Sequence, residues 1–216
     1  MKIATIVLAR AAAAVGLAGC AALAPAPDYD ALAAQMMATS FRDQGIAKLD
    51  RLQQDASNAE CSKAAGAPLP DTLANAIQSA NLETVRWPAD GKFLGDWREG
   101  EKLAQNGRGM TWTDSSTAPS ANGGNCYNCH QISKAEISYG TIGPSLYHYG
   151  KLRGVADAAS PQARPVVEYT WTKLWNAKAF NACSGMPRFG HAGLLDEAQL
   201  KNLMALLLDP KSPVNQ

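Results

Sequence analysis

This chain has few histidines and cysteines, and its net charge is small. Its 216 residues include three histidines and five cysteines, and its formal net charge at pH 7 is +1. Because no block of basic residues is present, we expect no nucleic acid partner. After Cys20 no apolar run is long enough to cross a bilayer. Any site that uses histidine or cysteine must therefore be built from very few residues.

Two of the cysteines belong to a Cys-x-x-Cys-His motif, formed by Cys126, Cys129 and His130. This spacing is the attachment motif of haem c, because the two thiols can add to both vinyl groups of one porphyrin. The adjacent imidazole of His130 then reaches the iron from the proximal side. The motif predicts one covalently bound haem c and a function in electron handling. The haem, as a large apolar body, would form part of the core.

Two other kinds of site also use paired cysteines. A structural zinc site would need a second pair of ligands at close spacing, and the sequence contains no such pair. A thioredoxin-type dithiol would lie in a βαβ unit, but no strand pattern of convincing length is present. The sequence therefore favours haem over both alternatives.

The N-terminus resembles a bacterial export signal. Lys2 precedes an apolar stretch that is interrupted only by Arg10 and ends in Leu17-Ala18-Gly19-Cys20. This ending resembles the processing site of bacterial lipoproteins, at which Cys20 would be acylated and become the first mature residue. The alternative is an ordinary cleavage site near residues 22–24, which would release a soluble protein. Both predict export, and we expect a periplasmic protein that is lipid-anchored to a bacterial membrane.

The chain is expected to contain four segments. Residues 1–19 are the predicted lipoprotein signal peptide, and residues 20–27 are a proline-containing tether. Residues 28–94 are predicted to form a helical N-terminal extension, and residues 95–216 a cytochrome c domain.

The extension is predicted to contain three helices. Asp71 is expected to cap the third of them. Met36 and Met37 are expected to pack against other residues rather than bind haem.

Capping signals and apolar spacing predict that the whole fold is all-α, with a class I cytochrome c-like haem domain. A first helix is predicted over Trp97–Gln105, followed by a polar loop over 108–125 that resembles an insertion. Pro165 is predicted as the first residue of a later helix. The final helix is expected to begin after a cap at Asp196 and to end at Asp209-Pro210.

A haem iron bound by one histidine needs a sixth ligand. The candidates are Met186, His148, His191 and Met110. Because Pro187 disfavours helical backbone at the preceding residue, Met186 is expected to lie on a loop. A thioether ligand favours Fe(II) and suits electron transfer rather than oxygen chemistry. We therefore expect Met186 as the sixth ligand, with His148 and His191 as the main alternatives.

Four segments of the sequence carry a family resemblance. They are the haem motif from Asn125 to His130, Ile142-Gly143-Pro144-Ser145-Leu146, the segment from Cys183 to Gly190, and the ending from Ala205 to Asn215. Together they resemble the SoxX cytochrome c subunits of SoxAX complexes, over residues 95–216. The haem motif and Gly-Pro turn occur in many class I cytochromes, whereas the Met-Pro-Arg-Phe-Gly loop with the Asp-Pro-Lys-Ser-Pro-Val-Asn tail is more specific. The extension and lipobox depart from the shorter soluble members of the family.

The resemblance implies specific functions for the site residues. Cys126 and Cys129 would bind the haem covalently, His130 would be the proximal ligand, and Met186 the distal one. The carbonyl oxygen of Pro144 would accept a hydrogen bond from the His130 ring nitrogen that does not bind iron.

The resemblance also implies partners. The chain would form a heterodimer with a catalytic SoxA-like cytochrome, as the electron-transfer subunit of an L-cysteine S-thiosulfotransferase. That enzyme joins thiosulfate oxidatively to a cysteine of the carrier protein SoxYZ. This chain would accept the electrons and pass them to a small acceptor cytochrome c, while the sulfur chemistry would occur on the partner.

Cys61 and Cys183 remain after the lipid and haem cysteines are assigned. In an oxidising compartment, two remaining cysteines suggest a disulfide, which here would attach the Met186 loop to the extension. The alternatives are two separate thiols, or a catalytic Cys183 with Arg188 and His191 as the nearest candidates for activating it.

Two further functions stay open at this stage. One is a free-standing lipoprotein cytochrome c that acts as an electron shuttle between membrane complexes. The other is a haem peroxidase or sensor, in which Met186 would dissociate from the iron. Arg188 is expected to pair with a haem propionate or a partner carboxylate, or to be a solvated surface residue.

Overall fold

The computed structural model describes residues 26–216. All of the regular secondary structure in this range is helical. Within this range the only β-type pairing is an isolated bridge between Gln44 and Ala47. The predicted all-α fold is therefore confirmed. The predicted signal peptide and the lipidation site at Cys20 lie outside the described residues. The chain divides into two compact units between Phe41 and Arg42.

The first unit contains helix α1, Tyr29–Ser40. The side chain of Asp28 caps this helix by accepting a hydrogen bond from the backbone N–H of Ala31, at 2.9 Å. No residue of α1 is buried, and the side chains of Met36 and Met37 are both exposed. Within the first unit, therefore, the predicted packing of these methionines is not seen.

The second unit begins with a short 3₁₀ turn, Leu49–Leu52, followed by α2, Ala56–Lys63, and α3, Asp71–Leu82. Asp71 is the first residue of α3 and not its cap, since Pro70 occupies the cap position. A carboxylate in the first turn still stabilises a helix, because it faces the positive end of the helix dipole. The sequence signal thus identified the right helix start but gave Asp71 the wrong function.

Helices α4, Trp97–Gln105, and α7, Glu197–Leu208, pack against each other. They cross closely at Gly100, where an added Cβ would lie 2.2 Å from the backbone oxygen of Asn202. Only glycine allows this approach. Helix α7 begins after a capping box in which Asp196 and Gln199 each bond to the other's backbone. Both helices have the boundaries that the sequence predicts.

Helix α7 also contacts α5, Tyr149–Leu152, and α6, Arg164–Trp175. Helix α6 begins at Arg164, so Pro165 is its second residue and not, as the sequence predicts, its first. The largest fully buried side chains come from α6, α7 and the segment after the haem motif, and they include Trp171, Ile132, Leu200, Leu203, Met204 and Leu206.

Residues 42–94 share one compact unit with residues 95–216. The buried side chain of Asn176, just after α6, donates hydrogen bonds to the side-chain oxygens of Asn81 and Thr84, both at 2.9 Å. The indole N–H groups of Trp175 and Trp171 donate to backbone oxygens of the segment after α3, at 2.9 and 2.8 Å. Buried polar groups need such partners, so these bonds fix the end of α3 against α6.

Candidate functional site

The haem motif folds as a 3₁₀ turn, Cys126–Asn128, at the end of a loop that begins and ends beside helix α4. The backbone N–H of Gly124 donates to the carbonyl of Leu103 at 2.9 Å, and that of Asn125 to the carbonyl of Asn106 at 3.0 Å. The intervening polar segment therefore leaves the end of α4 and returns to it. The motif lies directly beside the helix although an insertion separates them in sequence.

Tyr127, between the two cysteines, anchors this turn to α4. Its ring is buried, and its hydroxyl donates to the carboxylate of Glu101 at 2.9 Å. Burial, together with the neighbouring Glu101 carboxylate, raises the pKa of Tyr127 to about 12. Tyr127 therefore stays protonated and keeps donating across the physiological pH range. The sequence analysis missed this pair, because only the fold brings Glu101 and Tyr127 together.

The imidazole of His130 has a defined orientation. Its Nδ1 lies 2.7 Å from the carbonyl oxygen of Pro144. Because a carbonyl can only accept, Nδ1 must carry the proton, and the lone pair of the neutral ring is then on Nε2. Among the described residues no group hydrogen-bonds to Nε2. The ring therefore presents an available metal-binding nitrogen, as the resemblance implies.

Gly143 packs directly against the His130 ring. An added Cβ at this position would lie 2.1 Å from Cε1 and 2.4 Å from Nδ1 of the imidazole. The loop is attached alongside the motif, since the N–H of Gly143 donates to the carbonyl of Cys129 at 2.8 Å. The N–H of Gly140 donates in the same way to Tyr127, also at 2.8 Å. The Ile-Gly-Pro segment thus forms one wall of the site and holds the imidazole in place.

The donor atoms of the motif fit a covalent haem better than a structural zinc site. Neither Cys126 nor Cys129 is in a disulfide. Within residues 26–216, no three His, Cys, Asp or Glu side chains converge as ligands of a metal ion, whereas structural zinc needs four ligands. Burial, and then the neighbouring Cys129, raises the pKa of the Cys126 thiol to about 12. This thiol is therefore protonated at neutral pH.

Met186 lies on a loop, as predicted, and is partly buried against the main hydrophobic core. Cys126 packs against the same core. The following residues pack on α6, since Phe189 is buried and an added Cβ at Gly190 would lie 2.5 Å from the ring of Trp175. The structure thus places the two expected haem-binding segments on one core.

The alternative sixth ligands have different surroundings. Nε2 of His148 lies 2.6 Å from the backbone oxygen of Gln216, so this nitrogen is engaged in a hydrogen bond. Met110 has a left-handed backbone with φ 63°, and its carbonyl accepts from Arg51 at 2.7 Å. His191 is exposed, with no side-chain hydrogen bond among the described residues, and stays an alternative to Met186.

Cys61 of α2 and Cys183 form a disulfide, with their Cα atoms 5.5 Å apart. The two cysteines are separated by 122 positions. The bond attaches the Met186 loop to α2, as the count of remaining cysteines predicts. As half of this disulfide, Cys183 has no free thiol with which to act as a nucleophile.

Arg188 forms an ion pair with Asp55, the residue that caps α2. Its side chain is only 17% exposed, so the expectation of a solvated arginine is wrong. Burial alone would raise the pKa of Asp55, but the N–H of Asn58 and the Arg188 guanidinium outweigh it and lower that pKa. Asp is a preferred N-cap residue, so its type could have identified Asp55 as a helix cap. No local signal identifies its partner, 133 positions away.

An open groove of about 920 Å³ lies away from this site. Its lining includes Phe93, Arg164 and Val167, but none of the haem motif residues or Met186.

No protein-family model matches this chain. The chain is similar to a protein of Aquifex aeolicus (strain VF5) named as an uncharacterized lipoprotein, with 35% identity over 133 residues. The similarity covers 62% of this chain and 59% of the length of that relative. Among the described residues, no helix is both long and apolar enough to span a membrane.

Proposed function

We propose that this chain is an exported c-type cytochrome that carries electrons on a single haem. The main support is the geometry of the Cys-x-x-Cys-His turn, in which Pro144 orients His130 so that Nε2 is free to bind iron. Cys126 and Cys129 would attach the haem by thioether bonds, and Met186 would be the sixth ligand. The haem would supply a one-electron Fe(III)/Fe(II) couple.

The protein groups around the motif would fix the positions of the ligands. The Pro144 carbonyl would hold the His130 ring in the orientation that leaves Nε2 available to the iron. The Tyr127 hydroxyl fixes the attachment turn to Glu101. A partly buried Met186 thioether on the other side would exclude small ligands and favour the reduced iron.

Haem attachment is tested by expressing the chain with a cytochrome c maturation system and staining a denaturing gel for haem. The wild-type band should stain, and a Cys126→Ala/Cys129→Ala variant should not. A Met186→Ala variant should lose the weak red absorption band of methionine-ligated ferric haem, whereas His191→Ala should keep it. Retention of that band in Met186→Ala would refute the ligand assignment.

A lipid anchor at Cys20 is part of the proposal. It is supported by the Leu17-Ala18-Gly19-Cys20 segment and by the similarity to a protein named as a lipoprotein. The test is fractionation and labelling with a radioactive fatty acid. The wild-type protein should be labelled and found with membranes, whereas Cys20→Ala should be unlabelled. A labelled Cys20→Ala protein would contradict the assignment.

The more specific proposal is a SoxX-like subunit that accepts electrons from a SoxA-like partner during thiosulfate coupling to SoxYZ. Its support is the sequence resemblance. Much of the resembling tail has a structural function: the Asn215 side chain donates to the Leu207 carbonyl at 3.1 Å and accepts from the Gly150 N–H at 2.9 Å. The tail therefore supports a common fold more strongly than a common partner.

Affinity purification from thiosulfate-grown native cells tests this specific function. A second haem-staining chain of stoichiometric amount should co-purify with the wild-type protein. Purification of a monomer that is reduced by a membrane quinol oxidoreductase would instead favour the free-standing electron shuttle.

A further inference from the structure

The segment that carries Met186 is restrained on both sides by α2 and its cap. Three positions before Met186, Cys183 is bonded to Cys61 within α2. Two positions after Met186, Arg188 pairs with Asp55 at the start of the same helix. The loop therefore has one covalent and one ionic attachment to a single short helix.

Local hydrogen bonds within this loop are few. The N–H of Met186 donates to the Ser184 hydroxyl at 3.3 Å, near the long limit for such a bond. The next strong backbone bond is from the N–H of Ala192 to the carbonyl of Arg188, at 2.9 Å. Between these points the position of Met186 depends on contacts outside the loop.

The two oxygens of the Asp55 carboxylate bind two different segments, helix α2 and the loop that carries Met186. Oδ1 accepts the N–H of Asn58 at 2.8 Å and thereby caps α2. Oδ2 accepts from the Arg188 guanidinium. Because the arginine side chain is only 17% exposed, loss of the carboxylate charge would leave a mostly buried cation without its partner.

We propose that Asp55 and Arg188 are positioning residues for Met186, and that they hold its thioether in place as the sixth haem ligand. This inference rests on the proposed haem function. The disulfide limits how far the loop can move before Met186, and the ion pair holds the loop against α2 after Met186. The N-terminal extension is thus part of the haem site through α2.

The test uses the ferric holoprotein and imidazole, a ligand that competes with the methionine for the iron. Asp55→Asn keeps a side chain that can cap α2 but removes the charge. We expect its affinity for imidazole to rise about fivefold. This is the effect of destabilising the Met186-bound position of the loop by roughly 1 kcal/mol. Arg188→Gln should have the same effect, and Arg188→Lys should restore part of the wild-type affinity.

Asp43→Asn is a matched control. Asp43 also accepts a backbone N–H, that of Leu49 at 2.9 Å, and pairs with Lys48 at 3.4 Å. It lies on an exposed segment away from the Met186 loop in sequence. Its substitution should leave the imidazole affinity unchanged.

The double variant Asp55→Asn/Arg188→Gln separates a pairwise effect from two independent ones. Its affinity should stay below the value expected if the two single effects added, because both substitutions remove the same interaction. Equal imidazole affinity of wild type and Asp55→Asn, in a protein whose red band depends on Met186, would overturn the positioning function and leave the cytochrome assignment intact. A protein with no covalent haem would overturn both. A red band that Met186→Ala retains would overturn the positioning function and the Met186 ligand assignment, but not the covalent haem.

Discussion

Gly143→Ala is the substitution that most directly tests how the His130 ring is held. The new methyl group would lie 2.1 Å from Cε1, 2.4 Å from Nδ1 and 2.7 Å from Nε2 of the imidazole. All three distances are far below van der Waals contact, so either the ring or the loop backbone must move. Movement of either one breaks the 2.7 Å bond between Nδ1 and the Pro144 carbonyl.

The magnitude follows from two effects. Forcing a methyl group into a packed site typically costs about 1 to 3 kcal/mol of folding free energy. Loss of a partner that orients a metal-bound histidine typically weakens metal binding by about 10- to 100-fold. The haem would stay attached through its thioethers, so we expect the weaker histidine bond to appear as partial displacement of His130 by added ligands.

Urea denaturation of the holoprotein, followed by haem absorbance, measures the first effect. Titration with imidazole beyond the concentration that displaces Met186 measures the second. Gly185→Ala is the control, because an added Cβ there meets no atom within 4 Å. It should be neutral or slightly stabilising, since alanine reduces the entropy of the unfolded chain. Wild-type stability and ligand affinity in Gly143→Ala would refute the packing of this glycine on His130.

Three further predictions concern the rest of the fold. Cys61→Ser/Cys183→Ser opens a loop of 122 positions, so urea denaturation without reductant should give a free energy of unfolding lower by at most about 5 kcal/mol; an unchanged value would contradict the bond. Asn176→Ala should cost about 1 to 3 kcal/mol in the same assay, because it leaves the side-chain oxygen of Asn81 without its donor; a neutral result would contradict the buried network. Because the folded pKa of Asp55 lies below its usual 3.8, its contribution to stability is present above that pH and is lost as the pH falls through the lowered pKa. Asp55→Asn should therefore lose less stability than wild type on acidification through this range, and parallel curves would contradict the shift.

The parts of the fold that the sequence predicts are those with local signals. Helix α4 runs over Trp97–Gln105 and α7 follows its cap at Asp196, because capping and apolar spacing act within a few residues. The prediction that Asp71 caps α3 is wrong because an acidic residue suits both the cap position and the first turn of a helix. Local patterns thus locate helices better than they assign the function of each terminal residue.

The parts that could not be predicted depend on contacts between distant segments. Asp55 and Arg188 are 133 positions apart, and Asn81 and Asn176 are 95 apart. Each of these residue types also occurs on solvated surfaces, so neither pair carries a signal in one sequence. The disulfide could be predicted because only two cysteines remained after the others were assigned.

The central claim is that Cys126 and Cys129 attach one haem c, and intact-protein mass spectrometry tests it most directly. The chain should be produced with a cytochrome c maturation system and measured after denaturation, so that only covalent groups are retained. We expect a mass increase of one haem that a Cys126→Ala/Cys129→Ala variant lacks. A wild-type chain that differs in mass from this variant only by the two substitutions, with two alkylatable thiols at these positions, would contradict it.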